Sequence, residues 1–248
     1  MGIVRSEVRK LLTIRTPLVL AGAVVMISVI ATLGSAGSVA RGQLHTLTSL
    51  RYLTGSAAAP EFLMLVLGIL IVAGEIQHRS LAGTLLATPS RRLVLVAKAL
   101  VAVLAGLVLG VLSCVVTLLT LSLRVSGGGT AITDHLGAVL GVSAGVVAGS
   151  ALIAVMGLGF GATVGNQLLA VGAGLAWFLV LENLLQLLLP GLARWLPEAA
   201  LTALGGGNPA FGSGQELLAT VPGGLVALGY ALALLGLGLV TFERRDVT

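Results

Sequence analysis

Six long apolar runs set the limits on what this chain can become: 17–35, 57–74, 93–123, 136–165, 168–189 and 221–242. A helix rising about 1.5 Å per residue needs about 20 residues to cross about 30 Å of hydrocarbon. Each run reaches or nearly reaches that length. The second is the shortest, and the third and fourth are long enough to tilt or to project beyond the bilayer. The polar surface that a water-soluble globule requires is missing. Charged residues are 9% of the chain and the mean hydropathy is +1.10, against about a quarter charged in an ordinary soluble domain. The expected fold class is an all-α polytopic membrane protein, a single transmembrane domain over residues 1–248 with six transmembrane helices.

The cations orient these spans, because positive residues collect on the cytoplasmic side. With the N-terminus inside, Arg5, Arg9, Lys10, Arg15, Arg79, Arg91, Arg92, Lys98, Arg244 and Arg245 lie inside. Arg41, Arg51, Arg124 and Arg194 lie outside, which completes the 14. The opposite orientation inverts this bias. Arg far outnumbers Lys, and Ala, Gly and Val abound, as in proteins of GC-rich bacterial genomes. The expected location is the bacterial cytoplasmic membrane, with both termini cytoplasmic. A pI near 10.4 does not imply nucleic acid here, since the basic residues sort by membrane side rather than by face.

Residues 1–16 form a separate unit. Ile3, Val4, Val8, Leu11, Leu12 and Ile14 alternate with Arg5, Glu7, Arg9, Lys10 and Arg15 near helical spacing. That pattern suits an amphipathic helix lying in the interface, with Pro17 marking the turn into the first span. A basic start, an apolar run and Ser38-Val39-Ala40 also resemble a signal peptide. The apolar run is longer than a usual signal core, however, and cleavage would leave five spans. Two further patterns are chance matches: Met1-Gly2 through Ser6 to myristoylation, and Gly157-Leu158-Gly159-Phe160-Gly161-Ala162 to a dinucleotide fingerprint. The fingerprint requires a strand–turn–helix in water, not a membrane span.

No catalytic constellation is visible. A Walker A loop needs Gly-Lys-Ser/Thr, but Lys10 precedes Leu11 and Lys98 precedes Ala99. His45, His78 and His135 lie far apart, with no metal-ligand spacing. Cys114 is the single cysteine, so no intrachain disulfide can form. The chain is expected not to be an enzyme, and to hold no cofactor or metal of its own.

The most informative stretch joins the second and third spans, over 75–92, on the cytoplasmic side by charge. Ser80 to Leu86 can form a short helix ended near Thr88 by Pro89. By composition alone this is either a docking element or a topogenic connector. The run Glu75-x-x-His78-Arg79-Ser80-Leu81, then Thr84, Leu86, Thr88-Pro89, Arg91-Arg92 and Ala97-Lys98, resembles the corresponding loop of bacterial ABC-2 permeases. The start (Glu7, Arg9-Lys10-Leu11, Arg15) is similar to that family's interfacial helix, and the end (Phe242-Glu243-Arg244-Arg245-Asp246-Val247) to its terminus. Gln77 departs from the family's arginine.

The resemblance implies an ABC-2 (type V exporter-like) permease fold, acting as a homodimer or as a heterodimer with a related permease. It implies a separate cytoplasmic ABC ATPase that binds ATP and Mg. Glu75, His78, Arg79, Ser80, Thr84, Arg91 and Arg92 then form the coupling loop that contacts the ATPase, with Glu75 expected to pair with Arg5 or Arg9. The cargo class is a drug-like, peptide or lipid-like compound moved outward.

Two intramembrane features complete the reading. Gly137, Gly141, Gly145, Gly149, Gly157, Gly161 and Gly165 recur at GxxxG spacing in the fourth span, the signature of close helix packing. Each four-residue step drifts about 40°, so successive groups can face different neighbours. Gly141, Gly145, Gly149, Gly157 and Gly161 are the expected packing residues. The fifth span carries Glu182, Asn183 and Gln186 in its outer half, either lining a substrate pathway or, for Glu182, pairing at the interface with a residue such as Arg194. Glu182 reads as the only acid deep within a span. The outer segment 190–220, with Trp195, Pro197 and Gly205-Gly206-Gly207, is expected to hold a short interfacial or re-entrant helix. Rival readings are an ATP-independent secondary carrier, which would usually show a repeated half or several intramembrane acids, and a non-transporting scaffold or immunity protein.

Overall fold

The computed structural model describes residues 16–40, 43, 46–77, 91–124, 132–206 and 217–244. Nearly all of the described residues are helical, with no strand among them. In lipid this is forced: backbone polar groups have no water to turn to, so each span must satisfy its own. Six helical stretches are long and apolar enough to cross a membrane, so the chain is a multi-pass membrane protein.

The first span is α1 (Thr16–Ser38), with Pro17 in its opening turn. The second comprises α2 (Leu47–Gly55), a 3₁₀ turn (Ser56–Ala58) and α3 (Glu61–Gln77). It therefore starts at Leu47, ten residues before the apolar run read from sequence. The third is α4 (Arg91–Arg124) and the fourth α5 (Leu136–Val164). The fifth joins α6 (Gln167–Ala176), a π turn (Trp177–Leu181) and α7 (Glu182–Leu188). Two short helices follow, α8 (Pro190–Ala193) and α9 (Pro197–Leu204), and then the sixth span, α10 (Thr220–Arg244).

The hub is α5. Its glycines let backbones touch without side chains between them. A Cβ on Gly157 would collide with the Leu65 carbonyl of α3, and one on Gly68 of α3 with the Ala154 carbonyl of α5. Gly161 faces Ile69, Gly145 meets the end of α9 at Leu204, and Gly159 meets α10 at Leu234. On α4, Gly106 and Gly110 close against Ser150. The glycine stripe thus packs α5 against different neighbours within one subunit. The dinucleotide-like 157–162 run lies inside this uninterrupted helix. Gly141 is a correction: nothing among the described residues lies within 4 Å of its Cβ position. It sits in the first turns of α5, where the drift of the stripe has carried it off the packed side.

Span 1 is fastened to the bundle by hydroxyls rather than by glycines. Ser28 bonds Ser113 of α4 at 2.9 Å, and Thr32 bonds Thr117 of α4 at 3.3 Å. Ser113 also donates to the Ala57 carbonyl at 2.6 Å. All four side chains are fully buried. Such interhelical bonds contribute about 0.6 to 1.7 kcal/mol each in a bilayer.

Local sequence dictates the sharp turn between spans 4 and 5. Gly165 adopts φ +68°, closing α5 in the left-handed conformation that glycine tolerates best. Asn166 then caps α6, its side chain accepting from Leu169 N–H at 3.1 Å. This turn, the feet of α3, α4 and α10, and the start of α1 share one face of the bundle, below called the connector face. Helices α8 and α9 belong to the opposite, far face. Most of α9 is buried, against α5 and α10.

Candidate functional site

The connector face carries two ion pairs among the described residues. Lys98 Nζ lies 2.9 Å from Glu75 Oε1 and donates to the Ile71 carbonyl at 3.3 Å. Lys98 is completely buried. It sits two turns into α4, inside a run of Val94, Leu95, Ala97, Ala99, Val101 and Ala102 that is itself buried. A bare ammonium there would be costly, and Glu75 relieves the cost. The second pair is on the surface: Arg92 forks onto the Glu243 carboxylate of α10, with Nη2 to Oε2 at 3.0 Å. These pairs join the feet of α3, α4 and α10.

Of the residues assigned to the coupling loop, Glu75 and Arg92 therefore have described partners, and neither partner, Lys98 or Glu243, was in the assigned set. His78, Arg79, Ser80 and Thr84 lie outside the described residues, as do Arg5, Arg9 and the interfacial helix. Arg91 opens α4. The signal for Lys98 was available: a lone lysine between apolar neighbours within a span must pair.

The far half holds a second concentration of charge, and this corrects the reading of Glu182 as a solitary acid. Glu182 is fully buried at the start of α7, directly after the π turn. One of its oxygens accepts from the Glu198 backbone N–H at the start of α9, and its other oxygen has no hydrogen-bond partner. Glu198 is part-buried, with Oε2 likewise unpartnered. Its carboxylate lies within electrostatic reach of both Glu182 and Glu61. Glu61, at the start of α3, is 8% exposed and lies against Gly149, where a Cβ would come 3.1 Å from Oε1. Carboxylates from two elements, Glu61 and Glu182, thus each lie within electrostatic reach of Glu198 on a third, and no ion pair among the described residues involves any of them.

Arg194 does not pair with Glu182. It is exposed and its guanidinium lies 5.8 Å over the Trp195 ring. Asn183 is exposed and bonds back to the Leu179 carbonyl, and Gln186 is part-exposed. Glu182 and Asn183 therefore point to different surroundings. A lateral groove of about 520 Å³, lined by residues such as Leu107, Leu152, Leu204 and Leu228, is almost wholly apolar, and none of Glu182, Asn183 and Gln186 lines it. No group of three or more His, Cys, Asp and Glu is placed to hold a metal among the described residues.

Burial pushes the Glu198 carboxyl up to about 6. An acid whose folded value is raised disfavours the fold while charged. That penalty is relieved as pH falls through 6 and is gone below the ordinary value of 4.5. Glu198→Gln should therefore stabilise the protein by about 1–2 kcal/mol at pH 7.5 and by nothing at pH 4. Thermal unfolding in detergent at both values checks this, and parallel pH curves for parent and variant contradict it.

No protein-family model matches the sequence, and no curated protein matches it.

Proposed function

We propose that the chain is the permease subunit of an ABC-2 type exporter, with a six-helix ABC-2 fold. Two copies, or this chain and a related permease, form the cargo path in a bacterial cytoplasmic membrane with both termini cytoplasmic. A separate ABC ATPase binds ATP and Mg. The observation that carries this reading is the connector 78–90: its sequence resembles the ABC-2 coupling loop, and its two stems are clasped by the ion pair between the buried Lys98 and the part-buried Glu75. A loop that receives force from an ATPase needs fixed stems, because a slack stem absorbs the displacement. Closure of the ATPase dimer then pushes the connector, and the spans rock to release cargo outward.

A second reading is favoured by one specific observation. Glu61 and Glu182 each lie within electrostatic reach of Glu198, with no ion pair to any of them among the described residues. Buried acids of this kind are what a proton-coupled carrier uses. Two assays on the purified chain separate the readings. Under the exporter reading it hydrolyses no ATP above background by itself, and in sealed vesicles it passes no protons down an imposed pH gradient. Hydrolysis that survives stringent purification sinks the exporter reading. Proton flux that disappears in Glu182→Gln selects the carrier.

A further inference from the structure

Lys98 is among the largest side chains in the molecule with no exposure at all. It reaches across from α4 to α3, and two acceptors of its ammonium, Glu75 Oε1 and the Ile71 carbonyl, lie in the last two turns of α3. Those turns and the first turns of α4 are the two stems of the 78–90 connector. A hydrophobic residue at 98 would let the stems slide past one another on apolar surface. The ammonium cannot slide, because leaving its acceptors would strand a charge among buried apolar side chains. Nearly two turns nearer the connector, the Arg92–Glu243 fork ties the same foot of α4 to α10.

We propose that Lys98 is a positioning residue: it locks the feet of α3 and α4 so that a displacement of the connector moves both spans as one body. The inference rests on the exporter reading only for what supplies the push. The clasp itself is a property of this chain. Its partner in the clasp is Glu75, so the coupling role that resemblance gives to Glu75 acts through α4 and not through the ATPase surface alone.

The obvious variant, Lys98→Met, takes the ammonium away from the part-buried Glu75 carboxylate and destabilises the chain. The informative variant is therefore the double one, Glu75→Gln with Lys98→Met, which removes both charges. Replacing both members of a buried pair by neutral groups of similar size restores stability. A merely structural pair would be fully replaced by it. A clasp would not, because the neutral pair holds register weakly.

The experiment uses the full chain in lipid nanodiscs with its ATPase, read by hydrogen exchange with and without ATP plus vanadate. In the parent, trapping should change exchange in 78–90 and also, by about fivefold or more, in 67–75 and 95–102. The double variant should keep the ATPase and the parent's thermal stability, and should still respond in 78–90. The response in 67–75 and 95–102 should be lost. A double variant whose helices respond like the parent's overturns the proposal. Should the parent bring down no ATPase, the exporter reading falls, and the clasp is read in the chain alone. There Lys98→Met should raise opening of 71–77 and 92–98 by about tenfold, and unchanged exchange overturns it.

Discussion

Replacing Gly157 by leucine leaves no correctly packed bundle. The α-carbon of Gly157 sits against the Leu65 backbone of α3, and even a Cβ there would overlap the Leu65 carbonyl and crowd its Cα. The obstacle is backbone, which cannot rotate aside as a side chain can. The reciprocal contact at Gly68, against the Ala154 carbonyl, means α3 cannot escape by rolling along the seam. The two helices must separate, and with them goes the largest buried cluster, including Met64, Ile69, Val72, Ile153 and Leu158. Overpacking a well-filled core usually costs about 1–3 kcal/mol; against backbone on both sides, at least about 3 kcal/mol is expected. Gly141→Leu is the matched control, since nothing described lies near its Cβ position. It should accumulate and run on size exclusion like the parent, whereas Gly157→Leu should aggregate or be degraded. A monodisperse Gly157→Leu with the parent's melting temperature contradicts the account of α5 as the hub.

The second large effect is all-or-none. After Cys114→Ala, a cysteine at Gln43 or Asp134 should react with a membrane-impermeant maleimide in intact cells. A cysteine at Ser90 or Arg244 should react only after the cells are opened. Ser56, which directly precedes the second apolar run, is unsuitable as an outer probe. It lies within the second span, where its hydroxyl donates to the Leu53 carbonyl and sits 3.2 Å from Thr32 Oγ1. Gln43 and Asp134 are exposed on the far face, and Arg244 is exposed at the connector face. Labelling of Ser90→Cys from outside inverts the orientation and removes the connector from any cytoplasmic ATPase.

Much of this architecture was legible because apolar run length is a direct physical requirement of a bilayer. The helices of the third to sixth candidate spans begin and end within a few residues of the apolar runs. The second span was read short because Thr46 through Ser56 includes Arg51 and several hydroxyl residues. Only the structure shows that Leu50, Leu53 and Thr54 face inward. The glycine spacing foretold close packing but not which neighbour each glycine meets, since that depends on where other helices stand around α5. Gly141 shows the limit: its spacing is right and its side is empty.

Charge partners were the least legible. Glu75 and Lys98 are brought together by the fold of two spans, and nothing local to either names the other. Glu61, Glu182 and Glu198 come from spans two and five and from α9, so the reach of the first two to Glu198 is a tertiary fact. Glu61 and Lys98 nevertheless carried a signal in plain sight, each being an ionisable residue next to or within an apolar run. Reading Lys98 as a cytoplasmic cation at the end of the loop motif hid its buried position.

The central claim is that this chain moves cargo with energy supplied by a partner. Its most direct test is affinity capture of the tagged full chain from its native host in mild detergent, followed by an ATPase assay. The account predicts near-equal amounts of a second protein carrying a Gly-Lys-Ser/Thr loop. Hydrolysis should be present in the complex and absent from the chain once that protein is stripped away. Recovery of the folded chain without any nucleotide-binding partner, or hydrolysis by the stripped chain, would contradict it.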